Sequence, residues 1–499
     1  MIEEYDVCIV GTGPAGAFAA NKIAKKGYKV LMLEAGNNHV NSEVGSNIDL
    51  YDDRYNSLDF GFSQQVGGSS NLWAGGLAKL DNIDFEERKE FNFLSWPLKL
   101  NQMNDYYSRV NEMIGIHNSD LESAQSRTLF SAYGSNIELK KMIVLDAPYK
   151  TRELVEGVEN IDLFKNHSVF RVNLKESNDS IASIEALNTA SDTKHEFKAK
   201  FYILAAGSIN NIRILLHSLK SLQEEKPHMY NSIGKFFSTH PKSYIGKITF
   251  NNDNFSSNHL LKIKKGDGYF YKYQLGLTSD FLRRKGLLNH SLRVESKHAL
   301  RIYRFLDYFK KILKFNLFKN SPLLIDTFVE IGVKIFKLLE VVDLRQKKSF
   351  YLVRGFFDQS AREDNCISLS SKESESGLPL AHINWNFESS DWENVERYIE
   401  CIKDELEKNN IGALSYLKPS EKNFSGIHSH FMGGTRMGSS DKNSIVNQDL
   451  RVHGINNLYV SGPSTFPSFS YANPFYTIAA LSIRLSDHII QQLKESSDG

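Results

Sequence analysis

The sequence is poor in cysteine, almost neutral in net charge, and without a long apolar run. Its cysteines, Cys8, Cys366 and Cys401, are three among 499 residues, and no two of them form a Cys-x-x-Cys pair. This usage argues against a disulfide framework or a zinc knuckle, so we expect no metal site. The net charge of +1 provides no general field for nucleic acid. No run reaches the roughly 20 apolar residues that a membrane-spanning helix needs.

The remaining composition is that of an ordinary globular protein. Hydrophobic residues make up 41% of the chain and charged residues 24%, which excludes wholesale disorder. A chain of 499 residues is long enough for about two structural units. The N-terminus enters an apolar, strand-like run with no basic segment before it, which predicts an unexported, cytoplasmic protein.

The first forty residues follow the order strand, glycine-rich turn, helix, strand. An apolar run at residues 5–10 leads into Gly11-Thr12-Gly13-Pro14-Ala15-Gly16 and then into Ala-rich helical sequence. A second strand at residues 28–33 ends in Glu34, 23 positions after Gly11. Such glycines let a pyrophosphate approach a helix N-terminus, and the acid suits a ribose hydroxyl. The pattern predicts a dinucleotide site but does not distinguish FAD from NAD.

A second glycine-rich loop follows at residues 66–76, with neither helical nor strand periodicity. It reads Val-Gly-Gly-Ser-Ser-Asn-Leu-Trp-Ala-Gly-Gly. The backbone amides of such a loop can lie against a phosphate or a flat heterocycle. A flexible linker is the alternative, which the apolar Leu72 and Trp73 inside the loop disfavour.

Near the C-terminus, a loop with one histidine is followed by a capped helix. The loop reads His-Phe-Met-Gly-Gly-Thr-Arg-Met-Gly over residues 430–438, and Asn473-Pro474 comes later. Asn is a good helix N-cap and Pro suits the first turn, while apolar residues at helical spacing follow. Asn473 should therefore lie at a helix N-terminus, where the backbone favours negative charge.

Taken together, the ordered motifs resemble those of the glucose-methanol-choline (GMC) oxidoreductases. The matching segments are residues 11–16, 67–70, 95–98, 204–208, 231–241, 430–438, 450–454, 457–460, 466–467 and 473–474. The resemblance is close over residues 1–80, 195–245 and 425–490 and loose between them. It is closest to the sugar- and polyol-oxidising members.

The resemblance implies an α/β protein of two domains. A discontinuous Rossmann-like FAD-binding domain would comprise residues 1–90, 191–245 and 430–499. Residues 91–190 would connect the domains and partly cover the FAD. Residues 246–429 would form an α+β substrate domain built on an antiparallel sheet.

The resemblance also implies a catalytic pair, His430 and Asn473, which lie 43 positions apart. Neutral histidine can accept a hydroxyl proton near working pH, and asparagine can orient that hydroxyl without competing for the proton. His453 is expected to be structural. The family's covalent-FAD members have a histidine where this chain has Leu72, so non-covalent FAD is implied.

The implied cofactor-binding residues extend over the whole chain. They are Gly11, Thr12, Gly13, Pro14, Ala15, Gly16, Glu34, Ala35, Gly67, Gly68, Ser69, Ser70, Asn71, Leu72, Val169, Ala206, Gly207, Gly462, Pro474 and Phe475.

The expected activity is the oxidation of an alcohol on a sugar, glycoside or polyol, with hydride transfer to FAD. Oxygen, a quinone or another molecule would accept the electrons. Two alternatives stay open: a lyase of the same family that binds FAD without net redox chemistry, and a membrane-associated protein that binds without turnover.

A basic amphipathic stretch at residues 299–342 separates parts of the expected substrate domain. Lysines and arginines surround apolar residues at helical spacing. Such helices can lie in a membrane interface, which would give peripheral membrane contact. A helical hairpin that packs on the protein is the alternative.

Overall fold

The computed structural model describes residues 4–38, 48–50, 63–116, 135–251, 260, 264–295, 350–419 and 427–497. The basic stretch at residues 299–342 lies outside the described residues. Within them, no helix combines the length and the apolar character that crossing a membrane requires.

In chain order, the strands are β1 (Glu4–Val10), β2 (Val30–Leu33), β3 (Ile48–Leu50), β4 (Gly76–Leu77), β5 (Ile137–Leu145), β6 (Ile161–Phe164), β7 (His167–Leu174), β8 (Ile181–Asn188), β9 (Thr193–Leu204), β10 (Ser238–Phe250), β11 (Lys264–Lys265), β12 (Tyr269–Leu277), β13 (Ser291–Glu295), β14 (Tyr351–Phe356), β15 (Cys366–Glu373), β16 (Pro379–Asn384), β17 (Gly412–Tyr416), β18 (Ile427–Met432) and β19 (Leu458–Val460). The α-helices are α1 (Pro14–Ala24), α2 (Leu100–Met113), α3 (Gly207–Ser218), α4 (Pro227–Ser232), α5 (Ser279–Lys285), α6 (Ser389–Lys408) and α7 (Phe475–Ser497).

A seven-stranded sheet holds the nucleotide-binding motif. Its order is β6-β2-β1-β9-β8-β7, and β19 also pairs with β9. Strands β6, β2, β1, β9 and β19 are parallel, whereas β7, β8 and β9 form an antiparallel meander. The chain leaves β1 toward β2 on one side, while β9 lies on the other. Ligands of open α/β sheets bind at such a switch point, beyond the carboxyl ends of the strands.

A nine-stranded sheet forms the second layer. It runs β17-β10-β14-β13-β12-β5-β4, with β11 paired to β12 and β18 to β10. Every one of these pairings is antiparallel. The predicted fold class, a Rossmann-like domain with a second domain on an antiparallel sheet, is therefore confirmed. The stretch predicted to connect the two domains contributes β6, β7 and β8 to the first sheet and β5 to the second.

Helix α1 packs closely on the first sheet because its sequence is rich in small residues. A Cβ atom on Gly16 would lie 2.1 Å from the carbonyl oxygen of Gly11, so only glycine permits this approach. Ala17, Phe18, Ala19 and Ala20 are fully buried. The close packing fixes the N-terminus of α1 beyond the end of β1.

Helix α7 passes through the interior and is anchored to α2. The Tyr107 hydroxyl lies 2.8 Å from the Thr477 hydroxyl, and the Tyr476 hydroxyl donates to Asn111 Oδ1 at 2.6 Å. Further toward the C-terminus of α7, Asp487 forms an ion pair with both terminal nitrogens of Arg109 in α2. These contacts set the direction in which the N-terminus of α7 points.

Candidate active site

One cavity of about 630 Å³ joins the two sheets. Its walls include the glycine motif after β1, the loop before β4, the start of α7, and one face of the nine-stranded sheet. His430 and Asn473 both line it, so the structure brings the predicted catalytic pair and the predicted nucleotide motif to one space.

The glycine motif leaves room for an anionic group at the end of α1. Gly11 has a φ of +96°, and a Cβ there would lie 2.6 Å from the carbonyl oxygen of Ala205 at the end of β9. Gly13 is the N-cap of α1, with Pro14 in the first turn, and a Cβ on Gly13 would meet no atom within 4 Å. A helix N-terminus that opens onto a cavity favours a phosphate group. The motif therefore fits the pyrophosphate of a dinucleotide.

Glu34 ties the turns around the motif together. Its carboxylate accepts hydrogen bonds from the Thr12 backbone at 3.0 Å, the Thr12 hydroxyl at 2.6 Å and the Gly36 backbone at 3.0 Å. Burial raises its pKa above the usual range. Thr12 in turn accepts from the Gly67 backbone at 3.0 Å, which links the motif to the second glycine loop. Glu34 also lines the cavity, where the predicted ribose contact stays a prediction.

The second glycine loop lies directly over the first. Gly67 and Gly68 have φ angles of 92° and 53°, and a Cβ on Gly68 would lie 3.0 Å from Gly13 Cα. The Ser70 hydroxyl donates to the Gly67 carbonyl at 2.7 Å and thereby holds the turn closed. Leu72 keeps 39% of its surface exposed and lines the cavity. These contacts hold the loop in place as one wall of the cavity, so it is not a flexible linker.

His430 contacts a second histidine, His240 of β10. Their Nδ1 atoms are 3.0 Å apart and their rings are nearly perpendicular. A hydrogen bond between two Nδ1 atoms requires one ring to carry its proton there. When His430 donates, its Nε2 is left unprotonated and can accept a proton, so the contact with His240 is compatible with His430 as a base.

The surroundings keep both histidines neutral. Burial, and then Lys242 and His240, hold the pKa of His430 well below its ordinary value. Burial and Lys242 likewise lower the pKa of His240 to about 3. A neutral imidazole is the form that can take a proton from a substrate.

Asn473 has an unused acceptor in the cavity wall. Its Nδ2 donates to the Gly76 carbonyl at 3.1 Å, which fixes the orientation of the amide. Its Oδ1 is buried and has no hydrogen-bond partner within the described residues. A buried polar atom without a partner is unfavourable unless a ligand supplies one. A hydrogen-bond donor on a bound ligand would satisfy Oδ1.

A buried polar network holds the backbone before Asn473. Ser470 has a φ of 63°, and its backbone N–H donates to Asp358 Oδ1 at 3.0 Å. Asn289 donates to the Ser470 hydroxyl at 3.3 Å and to Asp84 Oδ1 at 2.9 Å. Burial raises the pKa of Asp358 well above its usual value and, with Asp81, that of Asp84 to about 7. No local sequence pattern marks this network, because its members come from separate elements.

Most of the predicted cofactor-binding residues line the cavity. They are Gly11, Thr12, Gly13, Pro14, Ala15, Glu34, Ala35, Gly68, Ser69, Ser70, Leu72, Val169, Ala206, Gly207, Pro474 and Phe475. Gly16, Gly67, Asn71 and Gly462 are not part of that lining. Asn71 donates to the carbonyls of Val66 and Gly68 at 2.9 and 3.0 Å.

His453 lies away from this cavity lining. Its Nε2 is 3.0 Å from the Ser444 hydroxyl, and its backbone N–H donates to the Ile445 carbonyl at 3.0 Å. These contacts fit the predicted structural role.

Two protein-family models match parts of this chain that contribute residues to the cavity. The GMC oxidoreductase family model matches residues 361–482, which include His430 and Asn473. The pyridine nucleotide-disulphide oxidoreductase model matches residues 5–89.

Similar proteins include enzymes that are named for alcohol or sugar oxidation. A 2-methyl-1,2-propanediol dehydrogenase of Mycolicibacterium austroafricanum is 21% identical over 99% of this chain and 97% of its own. The fructose dehydrogenase large subunit of Gluconobacter japonicus is 37% identical over 14% of this chain and 12% of its own. The structure of a fungal aryl-alcohol oxidase superposes with a TM-score of 0.58 at 14% identity, covering 99% of this chain and 100% of the other.

Proposed function

We propose that this chain, which is a member of the GMC oxidoreductase family, uses FAD to oxidise an alcohol group that docks between His430 and Asn473. The observation that carries the proposal is that these two residues line one cavity with the nucleotide motif at Gly11 to Ala15. Bound FAD would supply the hydride acceptor. The residues of this chain would bind it, orient the alcohol and take the hydroxyl proton.

His430 would act as the base. Because its pKa is held well below the ordinary value, its imidazole is neutral at working pH and ready to accept. With His430 Nδ1 as the donor to His240 Nδ1, the unprotonated Nε2 is the nitrogen that would accept the proton. Asn473 would hold the substrate through both parts of its amide. The second Nδ2 hydrogen would donate to the hydroxyl oxygen, and the buried Oδ1 would accept from a different donor of the bound ligand, because the one hydroxyl proton goes to His430.

The N-terminus of α7 would stabilise the negative charge that develops beside the substrate. Pro474 and Phe475 line the cavity next to Asn473, so the backbone N–H groups of the first turn lie at this wall. Oriented backbone dipoles stabilise developing negative charge without having to reorganise. An ordinary capped helix would have the same contacts, and the two roles are compatible.

A sugar, glycoside or polyol is the proposed substrate class. The likeness of the sequence to fructose dehydrogenase and to a diol dehydrogenase supports this choice. The test is an anaerobic panel of sugars and polyols scored by bleaching of the bound flavin and then reopened to air. Bleaching by none of them would contradict the proposal, and product formed over an unbleached flavin would identify a lyase. Reoxidation in air would separate oxygen from a quinone or another acceptor.

The rate of flavin reduction should be insensitive to pH over the range in which an ordinary histidine titrates. A base works in its neutral form, which exists above its pKa, and the pKa of His430 is lowered. At saturating substrate the reduction rate should therefore stay constant from about pH 8 to about pH 6 and fall only at lower pH. Stopped-flow reduction with an alcohol that does not titrate in this range gives the profile. An acid limb centred near the ordinary histidine pKa would contradict the assigned state of His430.

The flavin should be released completely by acid precipitation. Leu72 lines the cavity. The family resemblance aligns it with the histidine of covalent members, and its hydrocarbon side chain cannot form a bond to the cofactor. All absorbance of the oxidised flavin should therefore appear in the supernatant. Yellow pelleted protein would refute non-covalent binding.

A further inference from the structure

The face of the nine-stranded sheet that lines the cavity carries four cationic side chains. They are Lys242 of β10, Lys272 of β12, Arg293 of β13 and Arg354 of β14, and all four line the cavity together with His430 and Asn473. Four neighbouring strands thus each contribute one cation. The sequence interpretation assigned no role to any of these residues.

The strand register places three of these cations side by side. Arg293 lies directly opposite Arg354 in the β13–β14 pair, and Lys242 lies opposite Phe356 in the β10–β14 pair. The Phe356 ring centroid is 4.8 Å from Lys242 Nζ, 5.7 Å from Arg293 Cζ and 5.9 Å from Arg354 Cζ. Three of the cations therefore surround one aromatic ring in the wall of the cavity.

Like charges in this arrangement repel one another. Cross-strand pairs of the same sign are unfavourable, and buried charges are more so. Burial, followed by the charges of Arg354 and Arg293, lowers the pKa of Lys242 well below its ordinary value. A bound anion would reduce this repulsion, because it would stabilise the charged forms of the lysines and arginines around it.

Glu295, two residues after Arg293 in β13, partly balances the charge of the group. It forms an ion pair with Arg293 and accepts from the Tyr244 hydroxyl at 2.7 Å. Burial raises its pKa, but Arg293, Arg354, the Tyr244 hydrogen bond and Lys272 together outweigh burial, so the net shift is downward and the carboxylate is ionised. Glu295 is not among the residues that line the cavity, whereas the four cations are.

We propose that the substrate alcohol carries an oxyanion, a phosphate ester or a carboxylate, and that Lys242, Lys272, Arg293 and Arg354 hold it while His430 and Asn473 engage the hydroxyl. Arginine suits the paired oxygens of such groups, and lysine acts as a compact point charge beside them. This inference rests on the proposed function and adds to it the charge of the substrate. The oxyanion of the substrate would bind to the cations, and its hydroxyl group would react at His430 and Asn473.

The first test compares glucose, glucuronate and glucose 6-phosphate as anaerobic reductants of the FAD-loaded protein. Charge-assisted hydrogen bonds from even two cations should raise kcat/KM of an anionic member about 100-fold over glucose. The preference should weaken with added salt, because the interaction is electrostatic. The glucuronate and phosphate arms distinguish a carboxylate from a phosphate site. Equal kcat/KM for all three would overturn the proposal.

Single variants identify the residues. Lys272→Met should raise KM for the preferred anion about tenfold and leave kcat for a neutral alcohol nearly unchanged, whereas Lys272→Arg should retain most of the affinity. Lys247→Met is the matched control, because Lys247 is an exposed lysine of β10 and is not part of the cavity lining. An equal loss with neutral and anionic alcohols would mean that Lys272 acts on the cofactor or the fold, which would contradict the proposal.

A binding measurement separates this inference from the proposed activity. Inorganic phosphate should bind the FAD-loaded protein at low ionic strength in calorimetry, and Lys272→Met should weaken it while Lys247→Met should not. If neutral alcohols bleach the flavin but phosphate does not bind, the oxyanion site is wrong and the proposed alcohol oxidation stands. If phosphate binds in this variant-sensitive way but no alcohol bleaches the flavin, the oxyanion site stands and the proposed function fails.

Discussion

Replacing His430 with alanine should slow alcohol-dependent flavin reduction by about 10² to 10⁴ fold, the usual contribution of a positioned base. The reason is geometric as well as chemical. His430 lines the cavity beside Asn473, its Nδ1 is 3.0 Å from His240 Nδ1, and its lowered pKa keeps it neutral. Stopped-flow reduction under anaerobic conditions, expressed per bound flavin, measures the loss.

The matched control for this variant is His453→Ala. His453 is a half-buried histidine that contacts Ser444 and is absent from the cavity lining. The His453→Ala protein should keep the wild-type rate of flavin reduction per bound flavin, even if its free energy of unfolding falls. A His430→Ala protein that binds FAD and retains most of its rate would remove His430 from the chemistry.

Replacing Gly13 with valine should weaken FAD binding by about 100-fold, which corresponds to the loss of one or two charge-assisted hydrogen bonds from the helix N-terminus to the pyrophosphate. A Cβ on Gly13 would meet no atom of the protein within 4 Å, and Gly13 lines the cavity. The added side chain would therefore occupy the space of the cofactor rather than disturb the packing. The flavin content of the purified protein and its titration with FAD measure the effect.

Two controls separate loss of the cofactor from loss of the fold. Gly13→Ala should weaken binding less than Gly13→Val, because the effect should grow with the volume of the side chain. Thermal unfolding of the FAD-free proteins should be nearly the same for wild type and both variants. Gly16 would not serve here, since its Cβ would lie 2.1 Å from a backbone oxygen and would disrupt α1 itself. A Gly13→Val protein that is purified with full flavin content would place the pyrophosphate elsewhere.

Local sequence patterns predicted the elements whose conformation depends on neighbours in the chain. The glycines at positions 11 and 13, the proline at 14 and the apolar run before them specify a strand, a tight turn and a helix by their own backbone preferences. Asn473-Pro474 likewise marks the start of α7, which the structure begins at Phe475. His430 and Asn473 were paired through family resemblance, and the structure brings both to one cavity.

The rest of the site depends on strand register and on contacts between distant elements. Arg293 and Arg354 are 61 residues apart in the chain, yet they lie directly opposite each other in β13 and β14. A basic residue in a strand gives no sign of which face it will occupy until its partner strand is known. His240 was part of a recognised motif, but its contact with His430 arises only because β10 and β18 pair. The four cations in the cavity wall and the contact between His240 and His430 therefore become apparent only in the structure.

The most direct test of the central claim is an anaerobic single turnover with product analysis. Wild-type protein with bound FAD is mixed with excess substrate from the panel, and the reduced flavin and the carbonyl product are both quantified. We predict complete bleaching, with one carbonyl product per flavin reduced, and at least 100-fold slower bleaching in His430→Ala. Carbonyl product formed while the flavin stays oxidised, or bleaching that does not depend on His430, would contradict it.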